Sequence, residues 1–254
     1  MDTRPIGMFD SGCGGLTVLK EYLKELPHED FIYYGDTAHL PYGDKSKEKI
    51  IEYSTNIVDF LLSQNVKMIV IACGTASAQA YEHLKKSYDI PINNIIEPTA
   101  KAVADSHVGI IATKGTIQSG AWEKEILNYH PNTSTVSLAC PLFVPLVEEG
   151  FANTEISKMV IHEYLSKMKD KEISSLVLGC THYPILEEQI KEEMGEKVKI
   201  VNAGKESAKS TKEFLLQNQL ANDSMHIGST KFFASDDFQA FRQNAKKLGI
   251  EIPS

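Results

Sequence analysis

At 254 residues the chain is long enough for one large or two modest domains around a buried core. Its 42% hydrophobic and 24% charged residues give a globular balance, and no apolar run approaches the roughly 18 residues of a membrane span. A formal net charge of −8 argues against nucleic acid and anionic membrane as partners, and the polar start argues against a secretory signal, so a cytoplasmic protein is expected.

β-rich runs and amphipathic stretches alternate along the chain. A strand at 5–9 leads into a helix at 16–26, a strand at 31–34 into a helix at 50–62, and a strand at 68–72 into a helix at 76–88. In the second helix Ile57, Phe60 and Leu61 form an apolar stripe. A strand at 108–112 then precedes a helix at 117–129, and one at 135–139 precedes a helix at 156–168. Strands at 175–178 and 198–201, a helix at 207–217 and a last strand at 231–234 complete the series. The Lys- and Glu-dense stretches at 187–199 and 205–213 read as solvated helix faces. Such alternation predicts an α/β fold with parallel sheets.

Two stretches share one design. Met68-Ile-Val-Ile-Ala-Cys73-Gly-Thr is a buried strand running into a cysteine, a threonine and then a helix, and Leu176-Val-Leu-Gly-Cys180-Thr does the same. Each follows, at nearly the same separation, a strand with a polar tip: Asp10-Ser11 in one case, Thr113 running on to Thr116 in the other. The pattern predicts two related halves, each presenting a cysteine at the carboxyl end of a strand, where open α/β sheets bind ligands.

The other two cysteines, Cys13 and Cys140, have no such matched context, and reduced thiols are the default for all four. The cysteines are not phosphatase-like, since Gln79 and Leu186 stand where an arginine would be needed. There is no phosphate-binding Gly-x4-Gly-Lys-Ser/Thr loop, and Thr17 replaces the third glycine of a dinucleotide fingerprint. Cys180 and His182 lack a second zinc-ligand pair, so no metal or cofactor is expected. What remains is thiol chemistry. A cysteine just before a helix feels the positive end of the helix dipole, which favours thiolate. Two opposed thiols, one charged and one neutral, could remove a proton from one face of a carbon and return one to the other.

The segments Asp10-Ser11-Gly12 with Gly14-Gly15-Leu16, Gly35-Asp36-Thr37, Pro41-Tyr42-Gly43, Ala72-Cys73-x-Thr75-Ala76-Ser77 and Gly179-Cys180-Thr181-His182-Tyr183-Pro184 resemble the glutamate racemase family, in family order. The resemblance implies two pseudo-symmetric, doubly wound parallel-sheet domains facing each other across a cleft. It implies a cofactor-independent two-cysteine racemase supplying D-glutamate for bacterial peptidoglycan, with Cys73 and Cys180 catalytic. Asp10 would assist on the Cys73 side and His182 on the Cys180 side, with Glu148 or its neighbour Glu149 close by. Ser11, Thr75, Thr116 and Thr181 would bind substrate, and Pro41, Tyr42 and Gly43 would line the pocket. Only two arginines, Arg4 and Arg242, are present, so hydroxyls and backbone N–H groups would have to hold the anion.

The family ordinarily carries asparagine after the first cysteine, and this chain has Gly74. A lost amide contact of about 1–3 kcal/mol would weaken the enzyme or alter its substrate preference. A two-cysteine racemase for aspartate or another small acid, and a ligand-binding homologue without activity, remain alternatives. The resemblance further implies a homodimer. It places residues 1–97 with 205–254 in the first domain and 98–204 in the second.

Overall fold

The computed structural model describes residues 2–222 and 227–252. Residues 1, 223–226 and 253–254 of the expected first domain lie outside the described residues. The first half runs β1 (Ile6–Asp10), α1 (Leu16–Glu25), β2 (Phe31–Gly35), 3-10 turns Thr37–His39 and Tyr42–Asp44, α2 (Lys47–Ser63), β3 (Met68–Ile71), α3 (Gly74–Gln79), α4 (Tyr81–Ser87), β4 (Ile92–Asn94) and α5 (Ile96–Ala102). The second runs β5 (His107–Ala112), α6 (Lys114–Ser119), α7 (Ala121–Tyr129), β6 (Ser134–Ala139), α8 (Phe143–Glu148), α9 (Glu155–Lys169), β7 (Ser175–Leu178), a 3-10 turn Tyr183–Leu186, α10 (Glu187–Met194) and β8 (Lys199–Asn202). The chain continues through α11 (Ala203–Gln217), β9 (Thr230–Ala234) and α12 (Phe238–Lys247).

All the strands pair in parallel, in two sheets ordered β4-β3-β1-β2-β9 and β6-β5-β7-β8. Reading the second sheet backwards matches β8-β7-β5-β6 to β4-β3-β1-β2, so the expected duplication is real and β9 is an addition to the first sheet. The fully buried runs β1, β3 and β7 are apolar apart from Asp10 at the end of β1 and Ser175 at the start of β7, the pattern of strands covered on both faces. Alternate residues serve opposite faces. Met8, Tyr33 and Val70 join the core cluster that continues into the second half, while Phe9, Ile32 and Ile71 join a second cluster beneath α2 and α4. Burying each such side chain contributes about 1.5–3 kcal/mol.

Two expected helices are each broken in two. The stretch at 76–88 is α3 and α4, starting earlier, at Gly74, and parting at Ala80. The stretch at 117–129 is α6 and α7, parted by Gly120, whose φ of 64° ends α6 in the left-handed region open to glycine. Residues 97 and 98 lie inside α5, and 204 and 205 inside α11. These two helices pack on each other, and α11 also packs on α1, as the chain returns toward the first sheet.

Candidate active site

Because β3 pairs with β1 and β7 with β5, the ends of these four strands stand side by side in each half. Cys73 follows the last residue of β3 by two, and Cys180 follows the last residue of β7 by two. Both cysteines line one cavity of about 30 Å³, together with Ser11, Pro41, Tyr42, Gly43, Gly74, Thr75, Thr181 and His182. Leu40, Thr113, Val144 and Gly179 complete the wall. A space of that size admits only a few water molecules. Larger cavities open elsewhere on the surface, but none of them contains either matched cysteine.

Cys73 is the N-cap of α3, and its Sγ accepts the Ala76 N–H at 3.5 Å and donates to Ser11 Oγ at 3.7 Å. The expectation that a helix start would favour thiolate fails here. Burial pushes the Cys73 thiol up to about 12, reinforced by the Asp10 charge, and the Ala76 N–H and Ser11 hydroxyl do not offset it. Cys73 is therefore a neutral thiol in this closed form.

Asp10, at the end of β1, is fully buried. Its carboxylate accepts the Gly12 N–H at 2.9 Å and the Thr181 hydroxyl at 3.3 Å, and the latter bond crosses from one half to the other. Burial raises its pKa, against the neighbouring His182 charge and those hydrogen bonds. Ser11, rather than Asp10, is the hydrogen-bond partner of Cys73, and Asp10 acts on that thiol through its charge.

On the other side His182 Nδ1 lies 3.9 Å from Cys180 Sγ, and its Nε2 lies 3.1 Å from Glu148 Oε1. Burial opposes charge on this imidazole, but Cys180 and Glu148 outweigh it and push its pKa up to about 10. Of the two adjacent glutamates, Glu148 makes this contact; it closes α8, and Glu149 is the cap residue beyond it. Gly14 permits the close approach of His182: a Cβ there would stand 2.5 Å from both Nδ1 and Thr181 Oγ1.

The threonines also bridge the halves. Thr75 Oγ1 lies 3.0 Å from Thr113 Oγ1 and 3.1 Å from Thr116 Oγ1, and the last two are 2.9 Å apart. Thr113, read from sequence only as a strand tip, lines the cavity, whereas Thr116 is buried behind it and supports Thr75 and Thr113. Asp10 and Glu148 likewise stand behind the wall. The Pro41–Gly43 segment is anchored from beneath, where Tyr42 Oη donates to the buried Asp36 carboxylate at 2.6 Å and His39 Nδ1 lies 2.8 Å from the same group. Asp36 belongs to the Gly-Asp-Thr motif, and the two carboxylate contacts explain its place there.

Gly74 packs directly on the backbone of the other half. A Cβ at this position would collide with the carbonyl oxygen of Gly179 and sit 3.3 Å from its carbonyl carbon. The position read from sequence as a missing amide contact is thus also a backbone-to-backbone seam across the cleft. No lysine or arginine lines the cavity, and among the described residues no three His, Cys, Asp or Glu side chains form a group able to hold a metal ion.

A family model for Asp/Glu/hydantoin racemases matches residues 12–211. Glutamate racemase from Geobacter metallireducens is 45% identical over 240 residues, covering 93% of this chain and 89% of that protein. The crystal structure of the Francisella tularensis glutamate racemase in complex with D-glutamate superposes with a TM-score of 0.92 at 39% identity, covering 100% of this chain and 96% of that one. The Thermus thermophilus glutamate racemase in complex with β-chloro-D-alanine gives 0.92 at 38%, with the same coverage. The chain belongs to the Asp/Glu/hydantoin racemase family, among its glutamate racemases.

Proposed function

We propose that this protein interconverts L- and D-glutamate by moving a proton across the α-carbon between Cys73 and Cys180. The observation that carries the reading is that equivalent strand ends of two duplicated halves each contribute a cysteine to one cavity. The α-proton passes to one sulfur as thiolate, its bonding electrons remain on the carbon and spread into the carboxylate, and the other sulfur, as thiol, protonates the opposite face. The enzyme is left with the two protonation states exchanged, ready for the reverse reaction. Cys73, held neutral by burial, is the donor in the free form. Cys180, with His182 alongside and Glu148 behind it, is the acceptor.

Ser11, Thr75, Thr113 and Thr181 offer hydroxyls to the two carboxylates, and the protonated His182 offers positive charge. Asp10, Thr116 and Glu148 position groups that reach the cavity. A space of about 30 Å³ is far too small for glutamate, so binding requires the halves to part and reclose. By family likeness the product serves peptidoglycan synthesis, the enzyme works in the cytoplasm as a homodimer, and residues 1–97 with 205–254 and 98–204 form its two domains.

The test is loss of optical activity from L-glutamate. Wild type racemises it, and Cys73→Ser and Cys180→Ser each nearly abolish turnover, because a hydroxyl is a far weaker acid and its conjugate base is scarcely populated. Substantial racemisation by either variant refutes the two-thiol reading. Turnover of aspartate in preference to glutamate would assign the same chemistry to the shorter acid.

A further inference from the structure

A cavity of about 600 Å³ lies against the thiol cavity, lined by Lys45 and Lys47 from the first half and Lys114 from the second. Asp44 is the one acid on its wall. Some lysines elsewhere are paired, such as Lys24 with Glu21, Lys101 with Glu97, Lys167 with Glu163 and Lys209 with Glu206. Among the described residues Lys45, Lys47 and Lys114 enter no such pair. Three cations converging from two halves, against one acid on the wall, make a local excess of positive charge in a chain of net charge −8.

The partition between the two cavities is thin. Gly43 lines both, and Gly115 packs so closely on it that a Cβ at 115 would meet the Gly43 carbonyl oxygen at 2.7 Å. One side-chain hydrogen bond spans the same seam, from Gln79 Nε2 to the Gly115 carbonyl at 3.3 Å. α3 and α6 each present a threonine to the thiol side, Thr75 and, at the cap, Thr113, and Gln79 and Lys114 to the lysine side. Parting the halves at Gly43 and Gly115 would join the two spaces.

We propose that the lysine-lined cavity is an anion-receiving chamber that captures a small dicarboxylate, glutamate itself, before it passes the Gly43–Gly115 seam to the thiols. This rests on the racemase reading and adds to it the route and the charge that the inner cavity, without lysine or arginine, does not supply. The three charges lie outside the reacting centre, so they act on capture and not on proton transfer.

Lys45, Lys47 and Lys114 are replaced together by glutamine, and KM and kcat for L-glutamate are measured from about 10 to about 300 mM ionic strength, across which screening shortens from roughly 30 Å to under 8 Å. The variant should show a KM raised roughly tenfold at low salt, converging on wild type at high salt, with kcat within about twofold throughout. A wild-type KM with wild-type salt dependence overturns the proposal. If wild type fails to racemise glutamate, the functional reading has failed instead, and calorimetric binding of glutarate at low salt then judges the chamber. Weaker binding by the triple variant sustains it, and equal binding overturns it.

Discussion

Replacing Gly74 by alanine adds one methyl group at the seam between the halves. Its nearest neighbour, the Gly179 carbonyl oxygen, is closer than the 3.0 Å that real Cβ contacts essentially never breach. The strand end that carries that oxygen is held in the second sheet. The Gly179 N–H is fixed to the Ile111 carbonyl at 2.8 Å, and the next residue is Cys180. The free, closed state must therefore part slightly or deform, at an overpacking cost of about 1–3 kcal/mol. At roughly 2–4 °C per kcal/mol for a chain of this size class, the thermal midpoint of the ligand-free protein should fall by several degrees. On the proposed function glutamate binds after the halves part, so strain in the closed state should raise the competent fraction and lower KM, by at most about 5- to 150-fold. Gly74→Asn should show the same opening plus the added amide contact, and so a higher kcat/KM than alanine. Differential scanning calorimetry and steady-state racemisation read both effects. An alanine variant with unchanged midpoint and unchanged KM would refute the seam, and an asparagine variant with wild-type kcat/KM would refute both roles given to this position.

Glu148→Gln removes a carboxylate that holds the proton on His182. Burial already opposes that charge, so the imidazole pKa should fall from about 10 and the alkaline limb of the pH–rate profile should move to lower pH. Because the folded value lies above the unfolded value of about 6.5, the stabilisation from charged His182 is complete below that pH and is lost as pH rises toward about 10. The variant should lose stability earlier in that window, and identical alkaline limbs would contradict the assignment. Tyr42→Phe deletes the 2.6 Å hydrogen bond to the buried Asp36 carboxylate. It should cost about 1.5–3 kcal/mol in urea unfolding and raise KM by loosening the cavity wall, and wild-type values of both would dismiss the anchor.

The duplicated halves were legible because buried parallel strands leave continuous apolar runs, and because Cys73 and Cys180 end two of them in matching fashion. β4 was not legible. It has only three residues, two of them asparagine, and takes its place from pairing with β3. α8 contains Pro145 within six residues, which masks its helical character, and α12 is polar on average, with Phe241 and Ala245 its buried residues. The upward push on the Cys73 thiol was not legible because helix position can be inferred from a sequence, whereas burial is a property of the packed fold. The same packing hid the contributions of Leu40, Val144 and Gly179 to the wall, residues whose types carry no chemical signal. Thr113 did carry one: a hydroxyl at the strand end equivalent to Asp10 was already a reason to place it in the site.

Deuterium partition at early reaction times reports on paired thiols most directly. With L-glutamate in deuterium oxide, before much product has formed, opposed donors and acceptors predict α-deuterium in the D-glutamate formed and almost none in the L-glutamate recovered. Deuterium entering L-glutamate as fast as D-glutamate, or D-glutamate that keeps the original proton, would show a single base serving both faces and would contradict the assignment of Cys73 and Cys180.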